Sequence, residues 1–263
     1  MKHFISLGGG IQSSVLCFKA ALGQISPMPE GAIFADTGGE SQETYDWIDY
    51  LEKEIPFPIH RIMHKEGLES QVLESLKSGG RQEIPLHIRD KDGKKGLLPR
   101  MCTRTYKIEP LTRCLRDLLK LKKGQRFKSP IAKMWIGIST DEISRLSVSR
   151  AKFYENRFPL IEEDMGRGKC IEWLKESNFP TPPKSACYFC GFRTDQDWKA
   201  LKENSPKEWG KALEIDKAIR VSGEYEKFLH RSAQPLESAD LRTDTDKGQE
   251  LLWNDECMGM CGV

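Results

Sequence analysis

Three consecutive glycines near the start of the chain precede two serines, and this combination suits the binding of a phosphate group. Glycines let backbone N–H groups turn toward an anion, because they carry no Cβ atom. Serine hydroxyls in the first turn of a helix add donors beside its unpaired amides and the positive end of its dipole. The predicted phosphate loop contains Ser6, Gly8, Gly9, Gly10, Gln12, Ser13 and Ser14. The alternative is a glycine turn with a helix-capping serine, and the loop matches neither a Walker A loop nor the G-x-G-x-x-G fingerprint.

Eight cysteines are the second group of residues whose type suits metal binding or redox chemistry. In a chain without a recognisable secretion signal, closely spaced thiols are more typical of metal binding or redox chemistry than of a disulfide framework. Cys187 and Cys190 have the spacing of a metal knuckle, and Cys170 lies earlier in the chain. Thiolates are soft ligands, so a set of four cysteines suits an iron–sulfur cluster or zinc. Cys17 and Cys114 lie on predicted helices and are expected to pack in the core.

Strands alternate with helices over the first half of the chain, and the candidate residues lie where strands end. Strands are predicted at 2–7, 31–35, 59–63 and 131–138, and helices at 13–22, 43–53, 68–76 and 108–121. This alternation predicts an α/β fold with a doubly wound parallel sheet. Ligands on such sheets bind beyond the carboxyl ends of the strands, where the strand order reverses. Residues 79–99 are polar and predict a loop.

The composition changes after about residue 165. A helix predicted at 170–177 precedes a proline-rich turn and the cysteine knuckle, and a helical pair at 198–220 is broken near Pro206. We therefore predict an α/β domain at residues 1–165. Residues 166–263 are expected to form a smaller, mostly helical cysteine-containing region with a metal knuckle and a mobile tail.

The glycine turn resembles the PP-loop of ATP pyrophosphatases, usually Ser-Gly-Gly-x-Asp-Ser, although Gly8 and Gln12 replace its first Ser and its Asp. The Gly-Ile-Gln variant is similar to the loop of phosphoadenylyl-sulfate reductases, a branch of the same superfamily. Further segments resemble that branch in the same order: Phe34-Ala35-Asp36-Thr37-Gly38, Cys102 to Leu111, Gly137 to Glu142 with Arg145, and Pro159-Leu160. The resemblance implies a PP-loop nucleotide-binding domain with a Rossmann-like sheet.

The resemblance also implies the chemistry of these positions. Loss of pyrophosphate from ATP places negative charge on oxygens that require N–H donors, cations and usually Mg²⁺. Asp36 would hold Mg²⁺ or orient a water, and Lys107, Arg104 and Arg145 would neutralise phosphates. The resemblance extends the expected nucleotide site to Phe34, Asp36, Thr37, Gly38, Gly137 and Glu142. The alternatives are a helix N-cap for Asp36 and surface ion pairs for Lys107 and Arg145.

A metal centre is a further implication of the resemblance. Adenylyl-sulfate reductases hold a [4Fe–4S] cluster with a Cys-Cys pair and a Cys-x-x-Cys, but here Met101 replaces one cysteine of the pair. A fourth ligand must then come from elsewhere, with Cys170 as first choice and Cys257 or Cys261 as second. The expected ligands are Cys102, Cys170, Cys187 and Cys190. Zinc is the alternative to iron–sulfur.

The two terminal cysteines, Cys257 and Cys261, are also candidates for catalysis. Phosphoadenylyl-sulfate reductases carry a mobile Glu-Cys-Gly tail whose cysteine attacks sulfur, and this chain ends in a related but altered segment. Such thiols could carry a persulfide into the site or close a metal centre. A terminus without function is the remaining alternative.

Three functions are compatible with these features. The leading hypothesis is an ATP pyrophosphatase that adenylylates a substrate for sulfur insertion, with DNA phosphorothioation ahead of nucleobase thiolation and a cysteine desulfurase as the sulfur donor. The second is a reductase of adenylyl-sulfate or phosphoadenylyl-sulfate that draws on thioredoxin, although Met101 and the altered tail count against it. The third is a non-catalytic nucleotide-binding module with a zinc knuckle.

Composition excludes some other classes of protein. The net charge of +2, with 38% hydrophobic and 30% charged residues, is ordinary for a soluble protein. No apolar stretch approaches the roughly 20 residues that cross a bilayer, so we expect a cytoplasmic protein without a membrane partner. Basic residues cluster at 89–107 and 120–128. They predict either a solvated face or a surface for a phosphate-bearing substrate or nucleic acid.

Overall fold

The computed structural model describes residues 1–220, 225–243 and 246. The strands in this part of the chain are β1 (Lys2–Leu7), β2 (Gly31–Asp36), β3 (Ile59–Met63), β4 (His87–Arg89), β5 (Lys95–Leu97), β6 (Ala132–Ile136), β7 (Tyr154–Arg157) and β8 (Glu226–Phe228). The α-helices are α1 (Ile11–Ala21), α2 (Gln42–Glu54), α3 (Gly67–Ser78), α4 (Glu109–Leu118), α5 (Pro159–Glu162), α6 (Arg167–Glu176), α7 (Asp195–Asn204) and α8 (Pro206–Ile219). A π-helical turn spans Thr103–Ile108, and 3-10 turns span Thr140–Arg145 and Leu236–Ser238. None of the helices within these described ranges combines the length and apolar character needed to cross a membrane.

Backbone packing divides the chain into two compact units. Unit 1 comprises Met1–Asp36, Gln42–His64 and Tyr106–Ser185. Unit 2 comprises Thr37–Ser41, Lys65–Thr105 and the described residues from 186 onward. This division differs from the predicted boundary at residue 165, because two early segments of the chain pack with the late one.

A five-stranded sheet forms the centre of unit 1, in the order β3-β2-β1-β6-β7, and every neighbouring pair is parallel. Side chains alternate between the two faces of a strand. Ile5 packs in the cluster that contains Val15 of α1 and Leu174 of α6, whereas Phe4 packs in the cluster that contains Leu115 of α4. Helices therefore cover both faces of the sheet, and the predicted doubly wound α/β fold is confirmed.

The strand order of this sheet reverses at β1, which lies between β2 and β6. Leu7 of β1 is paired with Phe34 of β2, and Ser6 is paired with Ile136 of β6. The residues that follow these three strands therefore meet at one edge of the sheet. This edge is the position where parallel α/β sheets bind ligands.

Unit 2 contains a small antiparallel sheet in the order β5-β4-β8. The prediction of a loop at 79–99 is therefore wrong for β4 and β5. These strands are only three residues long, and β4 pairs with a strand far away in the sequence, so no local periodicity reveals them. The predicted helical pair is confirmed as α7 and α8. A capping box between Thr194 and Asp197 begins α7, and Pro206 begins α8.

The core of unit 1 predicts the effect of shortening a buried side chain. Leu16 of α1 is completely buried, so Leu16→Ala should lower the free energy of unfolding by about 2–5 kcal/mol through lost burial and a residual cavity. Urea unfolding followed by circular dichroism measures this loss. Leu22→Ala is the matched control, because Leu22 is 53% exposed, and it should change stability by less than about 1 kcal/mol. Equal losses in both variants would contradict this packing.

Candidate functional site

The glycine turn joins the end of β1 to the start of α1. Gly9 has a φ of 75°, in the left-handed region, and a Cβ atom there would lie 3.2 Å from Cγ2 of Thr44. Gly10 is extended and is the N-cap of α1. Because glycine has no side chain, this N-cap residue makes no side-chain hydrogen bond to the first amides of the helix. The turn therefore has the backbone arrangement of an anion site.

The two predicted phosphate-binding serines have different surroundings. The Ser13 hydroxyl accepts a hydrogen bond from the Gly8 N–H at 3.2 Å and donates to the Gly10 carbonyl oxygen at 3.2 Å. Ser14 is fully buried, and its hydroxyl accepts the Trp47 Nε1–H at 2.9 Å. Ser13 thus holds the glycine turn in shape, whereas the Ser14 hydroxyl joins α1 to α2.

The end of β6 lies against the first turn of α1. A Cβ atom at Gly137 would be 2.8 Å from the Ser13 backbone nitrogen and 3.0 Å from its Cα atom. Real Cβ atoms do not approach backbone so closely, so this position requires glycine. The contact fixes the start of α1 at the point where the strand order reverses.

A polar network surrounds Gln12 on the first turn of α1. Its amide nitrogen donates to Glu142 Oε2 at 3.4 Å, and its amide oxygen accepts from Arg167 Nη1 at 3.3 Å. Arg145 forms an ion pair with the same Glu142 carboxylate. Gln12 therefore connects the glycine turn to two arginines, and the structure brings together Gln12, Glu142 and Arg145, three of the residues proposed for the nucleotide site.

Arg167 is a member of this network that the sequence analysis missed. It is the first residue of α6, which begins three residues before the helix predicted at 170–177. The Asp141 carboxylate accepts the Arg167 backbone N–H, and a Cβ atom at Gly166 would lie 3.0 Å from that carboxylate. Nε of Arg167 is buried and has no hydrogen-bond partner among the described residues. Gly166 and Gly168, which flank Arg167, are the sequence signal from which this earlier helix start could have been predicted.

Asp36 lies at the carboxyl end of β2, next to β1. Leu7, the last residue of β1, is paired with Phe34, which lies two residues before Asp36. The Tyr45 hydroxyl donates to Asp36 Oδ1 at 2.8 Å, which orients the carboxylate. The other predicted residues are distributed as follows: Phe34 is buried in the core of unit 1, Ser6 lies within β1, Lys107 lies in the π-helical turn and belongs to unit 1, and Thr37, Gly38 and Arg104 belong to unit 2.

The Cys187–Cys190 knuckle is a tight turn in unit 2. The Cys190 N–H donates to the Cys187 carbonyl oxygen at 3.0 Å, and the buried Arg193 side chain donates to the Cys187 and Ala186 carbonyl oxygens at 3.0 and 2.8 Å. Sγ of Cys187 lies 3.1 Å from the hydroxyl oxygen of Thr37. These contacts hold the backbone of the knuckle in one geometry.

Cys102 lies in the same unit as the knuckle. Its backbone N–H donates to the Glu83 carbonyl oxygen at 3.0 Å. The neighbouring Pro85 carbonyl oxygen is so close to Gly191 that a Cβ atom at Gly191 would collide with it. The Glu83–Pro85 stretch therefore accepts the Cys102 amide and also packs directly on Gly191, the residue after the knuckle.

Cys170 has different surroundings from the other predicted ligands. It is fully buried in the hydrophobic core of unit 1, and this burial, with the nearby Asp141 carboxylate, raises the pKa of the Cys170 thiol to about 12. Cys170 belongs to unit 1, whereas Cys102, Cys187 and Cys190 belong to unit 2. Cys257 and Cys261 lie outside the described residues.

A complete metal site is not assembled in the part of the chain that the structure describes. No three His, Cys, Asp or Glu residues there form a group able to hold a metal ion. The described residues therefore do not fit a four-thiolate cluster or a zinc site. The iron–sulfur ligand set therefore remains a prediction.

Comparison with known proteins gives one family match and a structural likeness. The model of the phosphoadenosine phosphosulfate reductase domain matches residues 2–134, about half of the chain. A crystal structure of phosphoadenylyl-sulfate reductase from Candida auris, in a phosphate complex, is similar with 15% identity and a TM-score of 0.45. The likeness covers 69% of this chain and 75% of that one. No curated protein matches the chain.

The contact between β6 and α1 predicts that a methyl group at residue 137 is harmful. Gly137→Ala should lower the free energy of unfolding by about 1–3 kcal/mol, because the new Cβ atom forces α1 away from the strand. Urea unfolding measures the change. Gly168→Ala is the control, since a Cβ atom there meets open space, and it should leave stability unchanged or raise it by up to about 1 kcal/mol. Equal stabilities of the two variants would show that the close approach is absent.

The surroundings of Cys170 predict its reactivity. With a pKa of about 12, only about one thiol in ten thousand is ionised at pH 8, and the side chain is also buried. In reduced, metal-free native protein we expect iodoacetamide to modify the partly exposed Cys190 while Cys170 stays unmodified. Peptide mass spectrometry measures both, and labelling in urea is the control for intrinsic reactivity. Equal native rates at the two cysteines would contradict the core position of Cys170.

Proposed function

We propose that unit 1 of this chain, which belongs to the phosphoadenosine phosphosulfate reductase family, binds ATP. The chain would then cleave this ATP to AMP and pyrophosphate. This cleavage would activate an acceptor for sulfur insertion. The observation that supports the proposal most directly is the glycine turn at the reversal of strand order, held against Gly137 and linked through Gln12 to two arginines. Helix amides and guanidinium groups are the donors that phosphate oxygens require.

In this proposal each polar group of unit 1 has a role in charge stabilisation. The amides at the start of α1 would donate to phosphate oxygens, and Arg145 and Arg167 would stabilise the charge that develops as pyrophosphate leaves. Glu142 and Gln12 position these guanidinium groups. Asp36 suits Mg²⁺, because a carboxylate is a hard oxygen ligand and Tyr45 orients it beside the turn. When bound, Mg²⁺ would neutralise part of the pyrophosphate charge.

The proposed acceptor is a nucleic acid, with a DNA phosphate oxygen ahead of a nucleobase carbonyl. The acceptor oxygen would attack the α-phosphorus of ATP and release pyrophosphate. A thiol of this chain, converted to a persulfide by a cysteine desulfurase, would then attack the acceptor with its outer sulfur and displace AMP. A second thiol would attack the cysteine sulfur of the resulting disulfide, so that the outer sulfur stays on the acceptor and the two cysteines form a disulfide, which an external thiol reduces. Cys257 and Cys261 are the proposed thiols for this transfer.

A reductase of adenylyl-sulfate or phosphoadenylyl-sulfate is the second candidate, and the family match favours it to the same extent. In this case the same phosphate site would bind the sulfated nucleotide. A cysteine thiolate would attack its sulfur and displace the nucleotide phosphate, which leaves a cysteine S-sulfonate. A second thiol would attack that cysteine sulfur, release sulfite and form a disulfide. Sulfite production from these nucleotides distinguishes the reductase from the ATP pyrophosphatase.

The role of Asp36 gives the test of the proposal. Full-length protein with Mg²⁺, a DNA acceptor and α-labelled ATP should release AMP, and Asp36→Asn should lower the rate about 100-fold or more, since it removes a Mg²⁺ ligand. Thin-layer chromatography separates ATP, ADP and AMP. Asp164→Asn is the matched control, because Asp164 is an exposed carboxylate paired with Lys169, and it should retain the wild-type rate.

The outcomes separate the candidates. Full activity of Asp36→Asn would remove Asp36 from the site. Absence of AMP formation by the wild-type chain, together with sulfite formation from a sulfated nucleotide and a thiol reductant, would replace the pyrophosphatase with the reductase. Thermal unfolding of each variant shows whether a lost activity reflects a lost fold.

A further inference from the structure

The phosphate loop of unit 1 lacks a cation of its own. Residues 6–14 contain no Lys or Arg, in contrast to loops in which a lysine follows the last glycine. Lys19, the first lysine of α1, is buried and pairs with Glu163 at 2.9 Å. Arg145 is neutralised by Glu142. Arg167 of α6 contributes one guanidinium group through its contact with Gln12. A triphosphate carries several negative charges, so its binding calls for a cation in addition to Arg167.

The segment after α6 reaches the phosphate loop. At its start, the Phe179 ring stacks on Phe18 of α1, with centroids 3.9 Å apart and planes within 11°. At its end, Cβ of Ser185 lies 3.6 Å from the position that a Cβ atom of Gly9 would occupy. The segment is therefore held by α1 at one end and touches the glycine turn at the other. Both ends belong to unit 1.

Two prolines restrict the backbone of this segment. Pro182 and Pro183 fix their own φ angles, and each disfavours helical geometry in the residue before it. The chain that leads to the glycine turn therefore has few alternative paths. Lys184 follows directly, is half-buried and lies next to the residue that contacts Gly9.

We propose that Lys184 and Ser185 complete the phosphate site, with the ammonium group of Lys184 bound to the β- and γ-phosphates and the Ser185 hydroxyl donating to a phosphate oxygen. This inference rests on the proposed binding of ATP by unit 1. A lysine has a flexible four-carbon stem, so its charge reaches past a neighbouring residue to the anion beside Gly9. The chain thus supplies from a distant segment the cation that its loop lacks.

Calorimetric titration of the full-length chain with Mg²⁺ and α,β-methylene-ATP, and separately with AMP, tests this proposal. Lys184→Met should weaken binding of the triphosphate analogue about 10- to 100-fold, as expected for a lost charge-assisted hydrogen bond. Binding of AMP, which has no β- or γ-phosphate, should change less than about 3-fold. Lys184→Arg should recover part of the affinity, because it keeps the charge. Lys175→Met, on the exposed side of α6, is the matched control and should bind both nucleotides as the wild type does.

A second measurement on the wild-type chain applies even where a variant does not fold. The triphosphate analogue should slow acetylation of Lys184 by an N-hydroxysuccinimide ester several-fold and leave Lys175 unchanged, as read by peptide mass spectrometry. Unchanged acetylation of Lys184, or equal losses for AMP and the analogue in Lys184→Met, would overturn the role of Lys184. Failure of the wild-type chain to bind either nucleotide would instead overturn the proposed function and this inference with it.

Discussion

The approach of Gly137 to the first turn of α1 fixes the positions of the other site residues. Backbone meets backbone at this point, with no room for a methyl group between Gly137 and the Ser13 nitrogen. The start of α1 is therefore held by the end of β6 as well as by β1, its own preceding strand. Because β2 lies on the other side of β1, Asp36 is at the same sheet edge. In a doubly wound sheet, residues that follow different strands thus lie near the glycine turn although they are distant from it in the sequence.

Charge in this site is arranged in pairs and held by hydrogen bonds. Glu142 contacts both Arg145 and Gln12, and Gln12 also contacts Arg167. Such a network keeps side chains in place before a ligand arrives, so that little reorganisation is needed on binding. The same pairing limits the positive charge that remains for an anion, since the Glu142 carboxylate offsets one guanidinium. An anion of high charge is therefore expected to depend on groups outside the loop.

The local features of the sequence predicted strands β1, β2, β3 and β6 of unit 1, but not β7. Strands β1 and β3 and the doubly wound fold class follow from apolar runs, glycine turns and the alternation of strands with helices, which are properties of neighbouring residues. The missed features depend on contacts between distant residues. Arg167 begins α6 because Asp141 accepts its amide proton, and Ser14 is directed into the core because Trp47 donates to it. Neither partner can be identified from spacing along the chain, and the same holds for the pairing of β4 with β8.

The close packing of Gly191 on the Pro85 carbonyl connects the backbone of the knuckle to the stretch that binds the Cys102 amide. Gly191 after the knuckle and the Pro85 carbonyl meet without a side chain between them, so there is no flexible group at this contact to absorb a displacement. Arg193 and the Glu83 carbonyl prevent either backbone from relaxing separately. A backbone displacement at the knuckle would therefore act on the Glu83–Pro85 stretch, and through the Glu83 carbonyl on the amide of Cys102.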